Sequence, residues 1–151
     1  MAWVVYDKFK QQALGISAQT TINLATDTIK CLLVTASYTP TLASDASLNT
    51  SGVYSNQVPT GTAYVDRGPA LPSPTVSAPA SDIITFSGSN IVIAQDAGGG
   101  FTTARYAILY KDTGTNSTSF LICYADLGGN KSNTGGSLTL QIDAAGIFTL
   151  T

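Results

Sequence analysis

The chain has 151 residues, of which 44% are hydrophobic and only 11% are charged, and its formal net charge is −2 at pH 7. This length predicts a single domain spanning residues 1–151, with enough surface to bury a sizeable core. Every acidic residue is an aspartate and histidine is absent, so Ser-His-Asp and Cys-His catalysis within one chain are excluded. The seven basic residues are scattered along the sequence, which argues against nucleic acid as a partner.

Solubility has to come mainly from hydroxyl and amide groups, because the chain contains 21 Thr and 15 Ser. A surface poor in charge is well suited to being covered by a partner, since few ions have to be desolvated. Cys31 and Cys123 each lie in an apolar run, which favours buried free thiols over a disulfide. The first apolar residues are soon interrupted by charges, so we predict neither a signal peptide nor a membrane span.

Residues 1–15 are predicted to form the only helix, because residues 3–14 are compatible with a helix and Gly15 provides a stop. An apolar stripe along this helix consists of Val5, Phe9, Ala13 and Ile16. Trp3 and Tyr6 lie off the stripe. They either cover the edge of the core or act as aromatic anchors that contact a neighbouring subunit.

The apolar run at residues 28–35 predicts a strand, and its continuity indicates a central position in a sheet. Residues 39–80 are different, because they hold all six prolines, which prevent long regular strand pairing. Long loops of this kind are often functional. Aromatic and apolar residues within or beside the segment argue against disorder; they are Tyr38, Tyr54, Tyr64 and Leu71. We therefore expect an extended excursion or arm with one or two short strands.

Further strands are predicted from residue 81 onward, separated by turns rich in Gly, Asn, Asp and Ser. They cover residues 82–86, 90–94, 104–110, 119–125, 136–142 and 146–151. Together with strand 28–35, residues 81–151 form the predicted β core. The predicted fold is mainly β: an antiparallel β-sandwich, jelly-roll-like, or a small barrel, with one N-terminal α-helix and a long proline-rich excursion.

Three short motifs resemble known catalytic or ligand-binding motifs but lack essential parts. Asp112-Thr-Gly114 resembles the aspartic-protease triplet, which has to occur twice, and a hairpin loop over residues 111–118 explains it equally well. Gly98-Gly-Gly100 lacks the Lys-Ser/Thr of a phosphate loop. The alternation of Asp112, Gly114 and Asn116 lacks the closing Glu of a calcium loop. We predict no enzymatic activity, no cofactor, no metal and no small-molecule substrate.

The stretch from Asn56 to Leu71 is the most informative part of the chain, with Gly61 and Gly68 placed where the backbone has to bend. Its Asn-x-Val, Gly-x-x-Tyr and Gly-x-x-Leu steps resemble a signature of small virion proteins of tailed bacteriophages. Other segments on both sides of this stretch also resemble that family and occur in its order, at residues 1–15, 27–40, 104–114, 121–126 and 146–150. The chain departs from the pattern where Arg67-Gly68 replaces a glycine pair.

The resemblance implies a virion component that is made in the cytoplasm of a bacterial host. Within that family we expect a head decoration (cement) protein at the capsid surface, which binds across neighbouring capsomers and stabilises the head. Its partners are then the major capsid protein and copies of itself, as a dimer or trimer. A tail, neck or fibre component is the alternative, and a carbohydrate-binding β-sandwich is an alternative of another class.

We predict subunit contacts at residues that are aromatic, basic or part of the excursion. These candidates are Trp3, Tyr6, Tyr54, Tyr64, Arg67, Leu71, Arg105 and Lys111. Arg105 and Lys111 fall on the same face of one predicted strand. They are interpreted either as charges that blunt a sheet edge or as ion-pair partners across a capsid seam.

Overall fold

The computed structural model describes residues 1–15, 22–80 and 83–151, with backbone only at residues 79 and 80. Its elements are β1 (Val4–Val5), α1 (Asp7–Ala13), β2 (Ile29–Val34), a 3₁₀ turn (Tyr54–Asn56), β3 (Thr75–Ala80), β4 (Ile83–Ser87), β5 (Ile91–Ile93), β6 (Ala104–Lys111), β7 (Leu121–Lys131), β8 (Leu138–Leu140) and β9 (Phe148–Leu150). Over the described residues the fold is mainly β with one α-helix near the N-terminus, as predicted. None of the helices among the described residues has the length and apolar character needed to span a bilayer.

The strands form three antiparallel sheets. The largest has the order β1-β7-β6-β2, the second has the order β3-β4-β9, and the third pairs β5 with β8. Most side chains of β2 and β6 are buried on both faces of the four-stranded sheet. Burial on both faces is why these two strands have nearly continuous apolar sequences instead of alternating ones.

Strand β2 is the last strand of its sheet, so the prediction of a central position was wrong. Its apolar run is explained by the excursion, whose backbone lies along the outer edge of β2. Cys31 donates its N–H to the carbonyl of Pro69 at 2.9 Å, and Val58 donates its N–H to the carbonyl of Leu33 at 3.0 Å. The edge is therefore covered by irregular backbone rather than by another strand.

The excursion of residues 39–80 packs into the core instead of extending as an arm. Its buried apolar side chains are Leu48, Val53, Val58, Tyr64 and Leu71. The Tyr64 hydroxyl accepts a hydrogen bond from the Leu33 N–H at 2.8 Å, so one aromatic residue supplies both apolar surface and a polar contact to β2. One strand, β3, ends the segment, in agreement with the expected one or two short strands.

The predicted N-terminal helix is shorter than residues 1–15. Val4 and Val5 pair with Tyr124 and Cys123 of β7, because β-branched side chains fit a sheet edge better than a helix. The helix begins only at Asp7. In the predicted stripe Phe9 is buried, Ala13 is exposed, and Ile16 lies outside the described residues.

The six strands predicted after residue 81 are all present as β4 to β9. Asp82, the first residue of the first predicted strand, lies outside the described residues. Strand β7 continues to Lys131, beyond the predicted end at residue 125. In β8 the alternation is confirmed, because Thr139 is exposed and Leu140 is buried.

A buried hydrogen-bonded chain joins the start of α1 to the excursion. The Tyr6 and Tyr38 hydroxyls lie 2.9 Å apart, and Tyr38 donates to the Asp45 carboxylate at 2.6 Å. Asp45 also accepts from Ser51 Oγ and from the Thr41 N–H. Burial is the largest cause that raises the pKa of both phenols well above the ordinary value, so both stay protonated as donors. The network satisfies a fully buried carboxylate.

Cys31 and Cys123 are free, buried thiols, as predicted. Both are in register with Leu109 of β6, from opposite sides, so two strand spacings, roughly 10 Å, separate their backbones. A disulfide requires Cα atoms within about 7 Å, which excludes a bond between them. Burial raises the pKa of Cys31 to about 12 and that of Cys123 well above the ordinary value. Neither thiol is therefore poised as a nucleophile.

Candidate functional site

Three of the predicted contact residues lie inside the core. Tyr6, Tyr64 and Leu71 are 0%, 1% and 3% exposed, so their side chains offer no surface to a second subunit in this conformation. Tyr6 follows β1 and enters the tyrosine network, and Tyr64 and Leu71 attach the excursion to β2. Their aromatic and apolar character reflects packing within this chain.

Three other candidates contact groups of the same chain. Trp3 is half-buried and packs against the core. Arg105 pairs with Asp126 at 2.7 Å, and Lys111 pairs with Asp27 at 2.9 Å. Strand β6 is an interior strand, so the interpretation that the two basic residues blunt a sheet edge was wrong.

The remaining two candidates, Tyr54 and Arg67, lie together in what we call the arginine cluster: Tyr54, Asp66, Arg67, Asp112 and Asn116. The Arg67 guanidinium carbon lies 5.9 Å from the centre of the Tyr54 ring, within range of a cation–π contact. Arg67 Nη2 lies 2.7 Å from Asp112 Oδ1, and Nη1 donates to Asn116 Oδ1. Tyr54 donates its hydroxyl proton to Asp66 at 2.9 Å.

The backbone of Arg67 is held in the left-handed region, with φ of 66°, and Gly68 follows with φ of 72°. Two successive positive φ values explain why a glycine pair is the expected pattern here. Arg67 tolerates the conformation because its carbonyl accepts the Tyr110 hydroxyl at 2.7 Å and its N–H donates to Gln57. The backbone at the centre of the cluster is consequently fixed by hydrogen bonds on both sides of Arg67.

Asp112, the first residue of the protease-like triplet, acts as a counter-ion. It lies 2.8 Å from Lys30 Nζ and 2.7 Å from Arg67 Nη2. Partial burial raises the pKa of Asp112, but hydrogen bonds from Lys30 and Arg67 outweigh it and hold the pKa below its usual range. The carboxylate stays ionised at neutral pH and neutralises part of the charge of both cations.

The second notable surface is an exposed apolar region of the three-stranded sheet, which we call the apolar face: Val76, Ile84 and Leu150. These side chains are 44%, 48% and 47% exposed. Ile84 of β4 is directly opposite Leu150 of β9. Phe86, two residues after Ile84 in β4 and buried, is directly opposite Val76 of β3. The three residues therefore share one face of the sheet with a core residue.

A groove of about 460 Å³ lies between this face and α1. Its lining residues are Phe9, Gln12, Ala13, Ile22, Asn23, Leu24, Ala25, Val76, Ile84 and Leu150. None of these residues is charged. The apolar face was not among the surfaces predicted from the sequence, although the spacing of Ile84 and Phe86 and of Phe148 and Leu150 places each pair on one face of its strand.

In the ranges that the structure describes, no group of three or more Asp or Cys residues is placed to hold a metal ion. The two surfaces differ in chemistry, since the arginine cluster is polar and extensively hydrogen-bonded and the apolar face is uncharged. Comparisons of the chain with protein-family models, with curated proteins and with solved structures found no match.

Proposed function

We propose that this chain is a structural protein of a tailed-bacteriophage virion, namely a decoration protein that binds the capsid surface and stabilises the head. Its partners are the major capsid protein and further copies of the same chain. The resemblance of residues 56–71 and of the segments on either side of them supports the viral origin. The apolar face is the observation that carries the binding role.

Three half-exposed aliphatic side chains on one sheet face, beside an uncharged groove, have the character of an interaction surface. Scattered single apolar residues would not have that meaning. Covering Val76, Ile84 and Leu150 removes apolar area from water, at roughly 25 cal/mol per Å². No residue of β3, β4 or β9 is charged, so this gain is not offset by the desolvation of ions.

The outer edge of β3 offers a second mode of contact. Strand β3 is at one end of its sheet, and the side chains of residues 75–78 are exposed. Pro79 near its end fits an edge position, where one missing N–H is tolerated. A strand of a capsid subunit can add to this edge by backbone hydrogen bonds. An oligomer that engages several adjacent capsomers gains avidity from such modest contacts.

The aspartates support a structural role over a catalytic one. Asp82 lies outside the described residues, and each of the other aspartates accepts a hydrogen bond within the chain. Most of these contacts are to turn backbone or to a neighbouring cation. Carboxylates used in this way hold loops in place.

The test compares how strongly the chain binds phage particles after an aspartate is introduced on the apolar face and after one is introduced elsewhere on the surface. Ile84→Asp should weaken binding to phage particles that lack this chain by at least about 30-fold, because a charge would be buried in the contact. Val92→Asp is the matched control, since Val92 is 60% exposed on the two-stranded sheet and should bind like the unaltered chain. Cosedimentation with the particles measures both.

Electron microscopy of particles with gold-labelled chain locates the site. Label over the whole head supports decoration, whereas label at one pole would assign the chain to the tail or neck. Absence of the chain from mature particles, measured by mass spectrometry, would refute the proposal. Equal binding by the two aspartate variants would refute the role of the apolar face.

A further inference from the structure

We propose that the depression beside the arginine cluster is a binding site for neutral saccharides, a role that does not depend on the proposed function. The depression has a volume of about 580 Å³. Its lining residues are Asn49, Tyr54, Asp66, Arg67, Gly114, Thr115, Asn116 and Ser117. They come from three separate loops, and their side chains carry a phenol, two amides, one carboxylate and two aliphatic hydroxyls besides the guanidinium.

The guanidinium is already committed to the protein. Arg67 Nε and Nη2 donate to Asp112, Nη2 donates also to Ser119 Oγ, and Nη1 donates to Asn116. A guanidinium has five N–H groups, so one is left for a ligand. Because most of its N–H groups are used in this way and Asp112 neutralises part of its charge, Arg67 is a poor anchor for a phosphate or a carboxylate and acts here as a scaffold.

The scaffold fixes the direction of the Asn116 amide. A guanidinium can only donate, so the oxygen of Asn116 must face Arg67 and the NH₂ group must point away from it. Among the described residues this NH₂ group has no acceptor, and the Asn49 amide has no partner either. Asn116 therefore presents preset donors at the rim of the depression.

Asp66 supplies the complementary acceptor. One of its oxygens accepts the Tyr54 hydroxyl at 2.9 Å, and the other has no partner among the described residues. The hydrogen bond to Asp66 raises the pKa of Tyr54, so the phenol stays protonated and keeps donating to the first oxygen, which leaves the second oxygen for a ligand. A carboxylate oxygen near an amide NH₂ group suits a sugar hydroxyl, which donates to one and accepts from the other.

The Tyr54 ring provides the apolar part of such a site. It is half-buried, lines the depression, and is held by the guanidinium 5.9 Å from its centre. An aromatic ring of this kind packs against the C–H face of a pyranose, while its polar rim is recognised by hydrogen bonds. The Asp66 carboxylate among the lining residues disfavours acidic sugars by like-charge repulsion. The chemistry points to neutral hexose or N-acetylhexosamine oligosaccharides.

The test uses the full chain on an array of neutral and acidic oligosaccharides. We expect binding to a subset of neutral glycans and none to sialylated or sulfated ones. For the best glycan, Asp66→Ala should weaken binding at least tenfold, since a hydrogen bond to a charged group is lost. Asp143→Ala, an equal change at an exposed turn away from the depression, should leave the affinity unchanged.

Nuclear magnetic resonance then identifies the site. Addition of the bound glycan should shift the backbone amides of residues 49, 54, 66 and 114–117. The inference is overturned if no neutral glycan binds, if both alanine variants bind equally, or if the shifts fall elsewhere. Loss of particle binding in the Ile84→Asp variant with retained glycan binding would separate this site from the apolar face.

Discussion

At the scale of single residues, Asp96 shows how one carboxylate fastens two distant turns. Its Oδ2 accepts from the N–H and the hydroxyl of Thr62, both at 2.8 Å. Its Oδ1 accepts from the Gly99 N–H at 2.8 Å. Residues 62 and 99 belong to the excursion and to the loop after β5, so Asp96 ties the excursion to the β core. These hydrogen bonds, the Thr62 hydroxyl first, lower the pKa of Asp96 from 3.8 to about 2.

The lowered pKa predicts acid sensitivity. A carboxylate with a depressed folded-state pKa contributes stability that is present above about pH 4 and is lost as the pH falls toward 2. Asp96→Asn should lower the urea midpoint at pH 7 and should make its decline between pH 4 and pH 2 shallower. Urea titrations at pH 7, 4, 3 and 2 check this. If the urea midpoint of the variant fell between pH 4 and pH 2 as steeply as that of the unaltered chain, the role of Asp96 would be contradicted.

Residue-level contacts of this kind are beyond prediction from the sequence. Asp96 precedes a glycine run, and nothing local shows that Thr62 will lie beside it. Arg67 stands out in the sequence only as a departure from a glycine pair, and its partners Asp112 and Asn116 are far along the chain. By contrast, the buried state of Cys31 follows directly from its apolar neighbours.

At the scale of elements, the edge of β2 depends on a close approach of the excursion. Gly68 lies against this edge with φ of 72°, and an added Cβ would lie 1.9 Å from the carbonyl oxygen of Cys31. Real Cβ atoms do not come so close to backbone. The cover of β2 therefore needs glycine at this position for two reasons, its φ and its lack of a side chain.

Two alanine variants separate these reasons. Gly114 has φ of 81°, and a Cβ added there would have no atom within 4 Å. Gly114→Ala should therefore lower the free energy of unfolding only by the conformational strain, about 1 kcal/mol. Gly68→Ala should lower the free energy of unfolding clearly more, by about 3 kcal/mol or above, because the backbone at Cys31 or at Gly68 also has to move. Urea unfolding of both variants measures the difference. Equal losses of unfolding free energy in the two variants would mean that the excursion can move away from β2 without destabilising the fold.

Most strands could be predicted from the sequence, but which segments pack against one another could not. Period-two patterns and turn residues predict the existence of β4 to β9, although β7 extends to Lys131, past its predicted end at residue 125. The failures share a cause, since each depended on a contact between distant segments. Val4 and Val5 form a strand because β7 is beside them. Residues 39–80 pack into the core instead of extending as an arm, because their backbone hydrogen-bonds to the edge of β2 and their apolar side chains are buried.

At the scale of the whole molecule, the three sheets, α1 and the excursion share one hydrophobic core. Most contacts in this core join residues that are far apart in the sequence. Strand β2, for example, pairs with β6 on one side and hydrogen-bonds to the excursion on the other. Removing residues 41–79 would expose the edge of β2 and take away several buried side chains. The excursion is thus an integral part of the fold, and the surfaces it carries, including the arginine cluster, depend on global folding.

The two thiols report whether this core opens as a unit. Cys31 is on the edge strand under the excursion, Cys123 is on the interior strand β7, and both are 0% exposed. If the excursion and the sheet unfold together, a thiol reagent should label both cysteines at the same slow rate, which follows global unfolding. Single variants Cys31→Ser and Cys123→Ser allow each rate to be measured. Faster labelling of Cys31 would show that the excursion detaches first, and the cover of β2 would then be a separate, less stable unit.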